Sequence, residues 1–262
     1  MFAKKSLGQN FLKSKAALRA MIEVAKIAPN ETVLEIGPGK GALTETLLET
    51  GASVIAIEKD DRLIELLQEK FKAEIANEQL KITRGDALTF DPSVLGRDYK
   101  IVANIPYYIT GQFFKHYLTD TNQPKKIVVM VQKEVAQRIV AREGKESLLS
   151  LSIKCYGSPK YVMTVQKKYF SPAPKVDSAI ISIENISRNF FDGISEENFF
   201  NLIKAGFAHK RKVLISNLET ADPERFVREK LQSIFAKLNI SEKIRAEDLK
   251  LADWKNLTRE II

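Results

Sequence analysis

Between residues 32 and 131, five short apolar runs (TVLEIG, ASVIAIE, QLKITRGD, YKIVAN and KKIVVMV) alternate with segments whose apolar residues recur at helical spacing. Runs that are apolar on both faces must be covered on both faces, and strands of that kind joined by helices build a parallel sheet. The segments between them, 41–50, 61–75 and 110–118, carry the helical period, as in Leu63, Ile64, Leu66, Leu67 and Phe71. The rhythm predicts an α/β fold with a doubly wound sheet. After Gln132 the pattern predicts helices in VQKEVAQRIVA and LLSLSIKCY, then two strands in YVMTVQKKYF and KVDSAIISIE, parted by the proline loop SPAP. From Ser187 onward Phe- and Lys-rich helical segments predominate, so the expected division is 1–186 for the sheet domain and 187–262 for a small all-helical domain.

A chain of 262 residues can bury a substantial core without disulfide or metal staples. Cys155 is the single cysteine, and His116 and His209 are the two histidines, too few for a Cys/His metal cluster. Lys and Arg number 41 against 33 Asp and Glu, a net charge of +8 that favours a polyanionic partner, nucleic acid first. The opening MFAKKSLGQNFLKSK lacks the apolar stretch of a secretion signal, and no run approaches the roughly 18 apolar residues of a membrane span. A cytoplasmic protein without metal or membrane partner is expected.

Gly37-Pro38-Gly39-Lys40-Gly41-Ala42 follows the first strand of the sheet and opens a helix, where glycines let a backbone approach a ligand closely. Its spacing fits both dinucleotide oxidoreductases and adenosyl-cofactor enzymes, and both classes stay open at this point. Glu58 ends the next strand, placed to accept from ribose hydroxyls in either class. Asp86, in RGDAL, can accept from an adenine amine, although Asp equally suits a turn or a helix cap there.

The segment Asn104-Ile105-Pro106-Tyr107 ends the fourth strand, where open α/β sheets place their ligands. Asn104 offers an amide acceptor, Pro106 stiffens the loop so that the Ile105 carbonyl can be held toward a substrate, and Tyr107 supplies a flat face. That set suits an amino group on a planar base, with no histidine needed for proton removal. Phe170, before Ser171-Pro172-Ala173-Pro174-Lys175, is a second candidate for stacking a base, while a Phe ahead of prolines is more usually core.

Taken together, KKSLGQNFL, VLEIGPGKGALTETLL, IAIEKD, GDAL, NIPYYIT, VQKEVAQRI, FSPAPKVDSA and FAHKRKVLISNL resemble the ribosomal RNA adenine N6-dimethyltransferase family over nearly the whole chain. The resemblance implies a class I (Rossmann-like) methyltransferase sheet, S-adenosylmethionine as cofactor, and two adjacent adenines of a small-subunit rRNA hairpin as substrate, met in a pre-30S particle by a monomer. It implies cofactor contacts at Asn10, Leu12, Gly37, Gly39, Glu58, Lys59, Asp86, Ala87 and Asn104. It implies catalysis at Asn104, Ile105 and Pro106, with Tyr107 and Phe170 stacking the target base. Resistance methyltransferases of large-subunit rRNA share NIPY, but GPGKG and KRKVLISNL stand closer to the small-subunit type. The tail departs from the family in reading AHKRKVL where paired arginines followed by Lys-Thr-Leu are common. A non-catalytic RNA-binding assembly factor on the same fold is a further alternative.

Two basic groups are candidate phosphate contacts: Lys4, Lys5, Lys13, Lys15 and Arg19 before the sheet, and Lys204, His209, Lys210, Arg211 and Lys212 on the first C-terminal helix. Phe190, Phe191, Phe199, Phe200 and Phe207 read as the core of the small domain, and Cys155 as core rather than nucleophile.

Overall fold

The structure is a computed structural model that describes Lys4 and residues 7–142 and 144–261. Its contacts divide the chain into two compact units, 1–136 with 157–186, and 137–156 with 187–262. The sequence division at 186/187 therefore misses one exchange: residues 137–156 pack with the helical unit. Pattern alone shows a helix there but not which core receives its apolar face.

In the first unit, β1 (Phe11–Leu12) and α1 (Lys15–Ala25) precede β2 (Thr32–Ile36), α2 (Ala42–Leu48), β3 (Ser53–Glu58), α3 (Asp61–Lys70), α4 (Lys72–Ala76) and β4 (Leu80–Arg84). Next come β5 (Lys100–Asn104), α5 (Thr110–Thr119), β6 (Lys126–Gln132) and α6 (Lys133–Val140), which runs into the second unit. The second unit continues with α7 (Leu148–Lys154), and the first resumes with β7 (Ser158–Val165), β8 (Phe170–Ser171) and β9 (Ser178–Glu184). Seven strands form one sheet in the order β4-β3-β2-β5-β6-β9-β7. Its first five are parallel, whereas β9 runs antiparallel between β6 and β7. The middle strands are apolar on both faces, as in β5 and β6, where Ile101, Val102, Ala103 and Ile127 to Val131 are fully buried. β1 and β8 form a separate antiparallel pair, Phe11 opposite Ser171 and Leu12 opposite Phe170.

The second unit is helical throughout, continuing with α8 (Glu196–Gly206), α9 (Leu214–Ala221), α10 (Arg228–Lys237) and α11 (Leu251–Ile261). Its phenylalanines pack on one another: Phe199 is fully buried, with ring centroids 5.0 Å from Phe190 and 5.5 Å from Phe200. Phe207 stacks on buried Trp254. Cys155 is buried, and burial pushes its thiol well above the usual range, so it is core as expected. Among the described residues no helix is long and apolar enough to cross a membrane.

Candidate active site

From β2 the sheet grows outward through β3 and β4, and β5 then returns to pair with the other side of β2. At such a reversal the connections leave in opposite directions and open a crevice beyond the carboxyl ends of the strands. The cleft there collects Gly37, Glu58, Asp86 and Asn104 from the ends of β2, β3, β4 and β5, with Gly8 to Phe11 crossing beside them.

Gly37 and Gly41 have φ of 65° and 78°, the left-handed region that a Cβ disfavours. A Cβ on Gly41 would meet the Phe71 ring at 2.5 Å, so this glycine is what lets α2 start against Phe71. On Gly37 it would meet nothing within 4 Å, and the open space beside that backbone is a cradle for a closely approaching ligand.

Glu58 is buried, and its Oε1 accepts the N–H groups of Lys59 and Asp60 at 2.8 and 2.9 Å. Among the described residues Oε2 accepts only the Gly39 N–H, at 3.2 Å, and so keeps an acceptor site for a ligand hydroxyl. Burial raises the Glu58 carboxyl above its ordinary value, against the opposing pull of these three donors. Asp86 Oδ1 accepts the Leu88 N–H at 3.0 Å and Oδ2 the Lys59 ammonium at 2.8 Å. That ammonium, helped by the Leu88 N–H, holds the Asp86 carboxyl below the usual range. The pair is exposed and screened by solvent, so a ligand amine can displace Lys59. Asp86 is thus a turn former as well as an acceptor. Asp60 caps α3, and its carboxylate takes Arg62, Gln9 and Lys4, which ties the N-terminal segment to the cleft. Ala87 is buried beside Asp86 at the cleft wall.

Asn104 Nδ2 donates to the Asn10 carbonyl at 3.1 Å, and Asn10 Nδ2 donates to the Gly8 carbonyl at 3.1 Å. A carbonyl accepts and cannot donate, so it fixes which end of the Asn104 amide faces it and leaves Oδ1 as an acceptor with no donor among the described residues. The Ile105 carbonyl carries no hydrogen bond to the described residues, and Pro106 has no N–H to offer a neighbour. Tyr107 shares a 2.6 Å hydrogen bond with the hydroxyl of Ser178, which fixes its ring. Burial raises the Tyr107 phenol above its ordinary value, so it stays neutral.

Of the expected site residues, Phe170 lies behind the cleft, while Leu12, also part of the core, lines an adjoining pocket with Phe11, Gly37 and Asn104. Phe170 is 4% exposed and Leu12 8%; they face each other across the β1–β8 pair and join the hydrophobic core of the first unit. Strand pairing and apolar packing decide the place of Phe170, and its ring does not line the cleft. Phe11 and Tyr108 do line it, and Tyr108 is 63% exposed against Gly8. No spacing rule singles them out, beyond their being neighbours of Asn10 and Tyr107. The tail cations also differ from expectation: α8 stops at Gly206, and His209 to Lys212 lie exposed in the turn before α9. Asn217 Nδ2 braces that turn by donating to the carbonyls of Gly206 and His209 at 2.7 and 3.1 Å. Of the N-terminal cations, Lys4 is engaged by Asp60, Lys13, Lys15 and Arg19 are exposed, and Lys5 lies outside the described residues.

Glu35, two residues before the glycine turn, is buried and accepts the Thr44 hydroxyl at 2.7 Å; burial pushes its carboxyl up to about 8. Between its ordinary 4.5 and about 8, the unfolded chain has lost a proton that the folded chain keeps. Stability from this group is therefore fully present below the lower value and is lost as pH rises through the upper one. Glu35→Gln is expected to flatten that decline, as measured by denaturant unfolding of both proteins across the window. Parallel curves for the two would mean that Glu35 titrates as an ordinary carboxylate.

A dehydrogenase would need a proton donor beside the transferred hydride, whereas the end of β5 presents an amide oxygen and a main-chain carbonyl, both pure acceptors. This cleft, on this strand order, is that of a class I methyltransferase. The chain belongs to the ribosomal RNA adenine dimethylase family, whose sequence model matches residues 2–262. It is 42% identical over 261 residues to the ribosomal RNA small subunit methyltransferase A of Dehalococcoides mccartyi (strain CBDB1), covering 98% of this chain and 88% of the relative. The protein of the same name from Fusobacterium nucleatum is 38% identical over 260 residues, 98% of this chain and 96% of the relative. Among solved structures, a dimethyladenosine transferase from Plasmodium falciparum superposes with a TM-score of 0.81 at 28% identity, covering 94% and 95% of the two chains. The 23S rRNA methyltransferase ErmE shares the fold, with a TM-score of 0.78 at 23% identity over 96% and 99% of the two chains. The cofactor of this enzyme is S-adenosylmethionine. The open face of Gly37, the spare acceptor of Glu58 and the displaceable partner of Asp86 suit its backbone approach, ribose and adenine amine.

Proposed function

We propose that this protein methylates N6 of two adjacent adenines in a hairpin near the 3' end of small-subunit (16S) rRNA, giving N6,N6-dimethyladenine at both, during small-subunit biogenesis. The observation that carries the reading is the Asn104 amide, turned by the Asn10 carbonyl so that Oδ1 is free at the carboxyl end of β5. The small-subunit target is supported by the names of the relatives at 42% and 38% identity. It meets this RNA in the cytoplasm, as a monomer acting on a pre-30S particle.

The bound cofactor supplies an electrophilic methyl group on a sulfonium. Glu58 Oε2 would accept from its ribose and Asp86 from its adenine amine, while Gly37, Gly39 and the segment from Asn10 to Leu12 would hold it against the sheet. Asn104 Oδ1 and the Ile105 carbonyl accept the two N6 hydrogens of the target adenine, and Tyr107 stacks on its ring. An amine gripped by two acceptors keeps its lone pair out of the ring π-system and aimed at the methyl carbon. Transfer of that methyl group to N6 would leave the bonding pair with the cofactor and the nitrogen cationic, and the nitrogen would then lose its proton to water. One hydrogen is left for the second transfer, and one acceptor is enough to orient it. For Phe170 to stack the base as well, it would have to leave the core in which it is packed.

Mass spectrometry of small-subunit rRNA from cells with and without this gene tests the reading. Two adjacent dimethyladenines should be missing from the second, and their persistence would refute it.

Neutralising Lys210, Arg211 and Lys212 together is expected to weaken RNA binding and to flatten its salt dependence by roughly 0.7 to 0.9 log–log units per lost phosphate contact. Cofactor affinity should not move. An unaltered slope would make the turn a solvated face.

A further inference from the structure

The chain path away from Asn104 leads to cations that the methyl-transfer chemistry does not use. Asn104 holds the Asn10 carbonyl, and two residues on, Leu12 pairs with Phe170. The Lys13 N–H then donates to the Tyr169 carbonyl at 2.8 Å, which sets Lys13 beside the short helical turn Lys167–Tyr169. All four residues are exposed. None of Lys13, Lys167 and Lys168 pairs with a carboxylate among the described residues, although many other lysines of the chain do. The nearby Asp177 accepts the Lys167 N–H with its Oδ1 at 2.9 Å and forms no ion pair with these lysines among the described residues. Tyr169 is 42% exposed, with the Lys168 ammonium 5.3 Å from its ring centroid.

Three unpaired cations and an exposed aromatic ring, held together by backbone hydrogen bonds, match the chemistry of single-stranded RNA, whose phosphates want ammonium groups and whose bases want flat faces. The distance fits too. From Asn10 to Lys13 an extended chain spans roughly 10 Å, about the reach from a target nucleotide to its next neighbours.

We propose that Lys13 and the Lys167–Tyr169 turn form a rim that grips the RNA strand next to the target adenine, the lysines on phosphates and Tyr169 stacked on an adjacent base. This rests on the rRNA reading above and adds the strand contact to it. Burial of Phe170 gives the rim its rigidity: the ring expected to stack a base anchors the turn instead, and its exposed neighbour meets the RNA.

The test uses the full chain and a synthetic RNA hairpin with two adjacent loop adenines, with affinity measured over a series of salt concentrations. Lys13→Gln, Lys167→Gln and Lys168→Gln combined should lower the log–log slope by roughly 2 to 3. Tyr169→Ala should weaken binding about tenfold or more at every salt concentration with the slope unchanged, and Tyr169→Phe should restore it. Calorimetry with S-adenosylmethionine should give the wild-type affinity for each variant, a check that the cleft is intact. Hairpin binding by the unsubstituted protein, with an unaltered slope in the triple variant or full affinity in Tyr169→Ala, would overturn the rim and leave the rRNA reading standing. Failure of the unsubstituted protein to bind the hairpin would overturn both.

Discussion

Asn104→Ala is expected to slow methyl transfer about 10²- to 10³-fold while leaving RNA affinity nearly unchanged, because the amide orients the reacting nitrogen and phosphate contacts supply most of the binding. The loss has two parts. Oδ1 no longer draws the N6 hydrogen out of the ring plane, and the Asn10 carbonyl loses the donor that holds the N-terminal segment across the cleft. Asn104→Asp separates them: a carboxylate keeps the acceptor but cannot donate to Asn10, so it should retain more activity than Ala and less than wild type. Single-turnover methylation measured across neutral pH should vary little, since the Tyr107 phenol is held neutral and the reacting nitrogen loses its proton to water. Full activity in the Ala variant, or a steep rise of rate with pH, would assign the chemistry to another group.

Glu58→Ala should weaken S-adenosylmethionine binding about 10- to 100-fold, the effect of losing a charged acceptor worth roughly 1.5 to 3 kcal/mol, and leave RNA binding intact. The Gly39, Lys59 and Asp60 N–H groups lose their acceptor at the same time, so the glycine turn loosens as the ribose contact disappears. Glu58→Gln should not rescue it, since the side-chain NH₂ would face one of these N–H groups. With the wild type, cofactor affinity should fall on acidification, starting at a higher pH than an ordinary glutamate would give, because burial raises this carboxyl. Calorimetry on the folded variants decides; unchanged affinity would remove Glu58 from the cofactor site.

What sequence pattern exposes in this chain is local. Each apolar run between residues 32 and 131 is a strand of the sheet, and Gly37, Glu58, Asp86 and Asn104 reach one cleft because strand ends bring them there. Pattern is silent wherever the partner is distant or the element is short. β9 lies between β6 and β7, a pairing that no run of apolar residues specifies. Two-residue strands such as β1 and β8 have no periodicity to detect, yet they decide that Phe170 is core. The cations after α8 read as helical because lysine is a good helix former, and the structure ends the helix at Gly206, where a Cβ would collide with Trp254. Lys59 covering Asp86 follows from adjacent strand ends, visible only once β3 and β4 are side by side.

The pairing of Phe11 with Ser171 also sets a timetable. As the ribosome makes this chain, Asn10 emerges first and Asn104 much later, and the strand that clamps the N-terminal segment emerges later still. Contacts so far apart along the chain close large loops and form slowly. The parallel strands carrying Glu58 and Asp86 are made well before β8, so the floor of the cofactor cleft precedes the strand that fixes its N-terminal wall. A newly made molecule gains its methyl-transfer geometry only when the first unit is almost wholly synthesised.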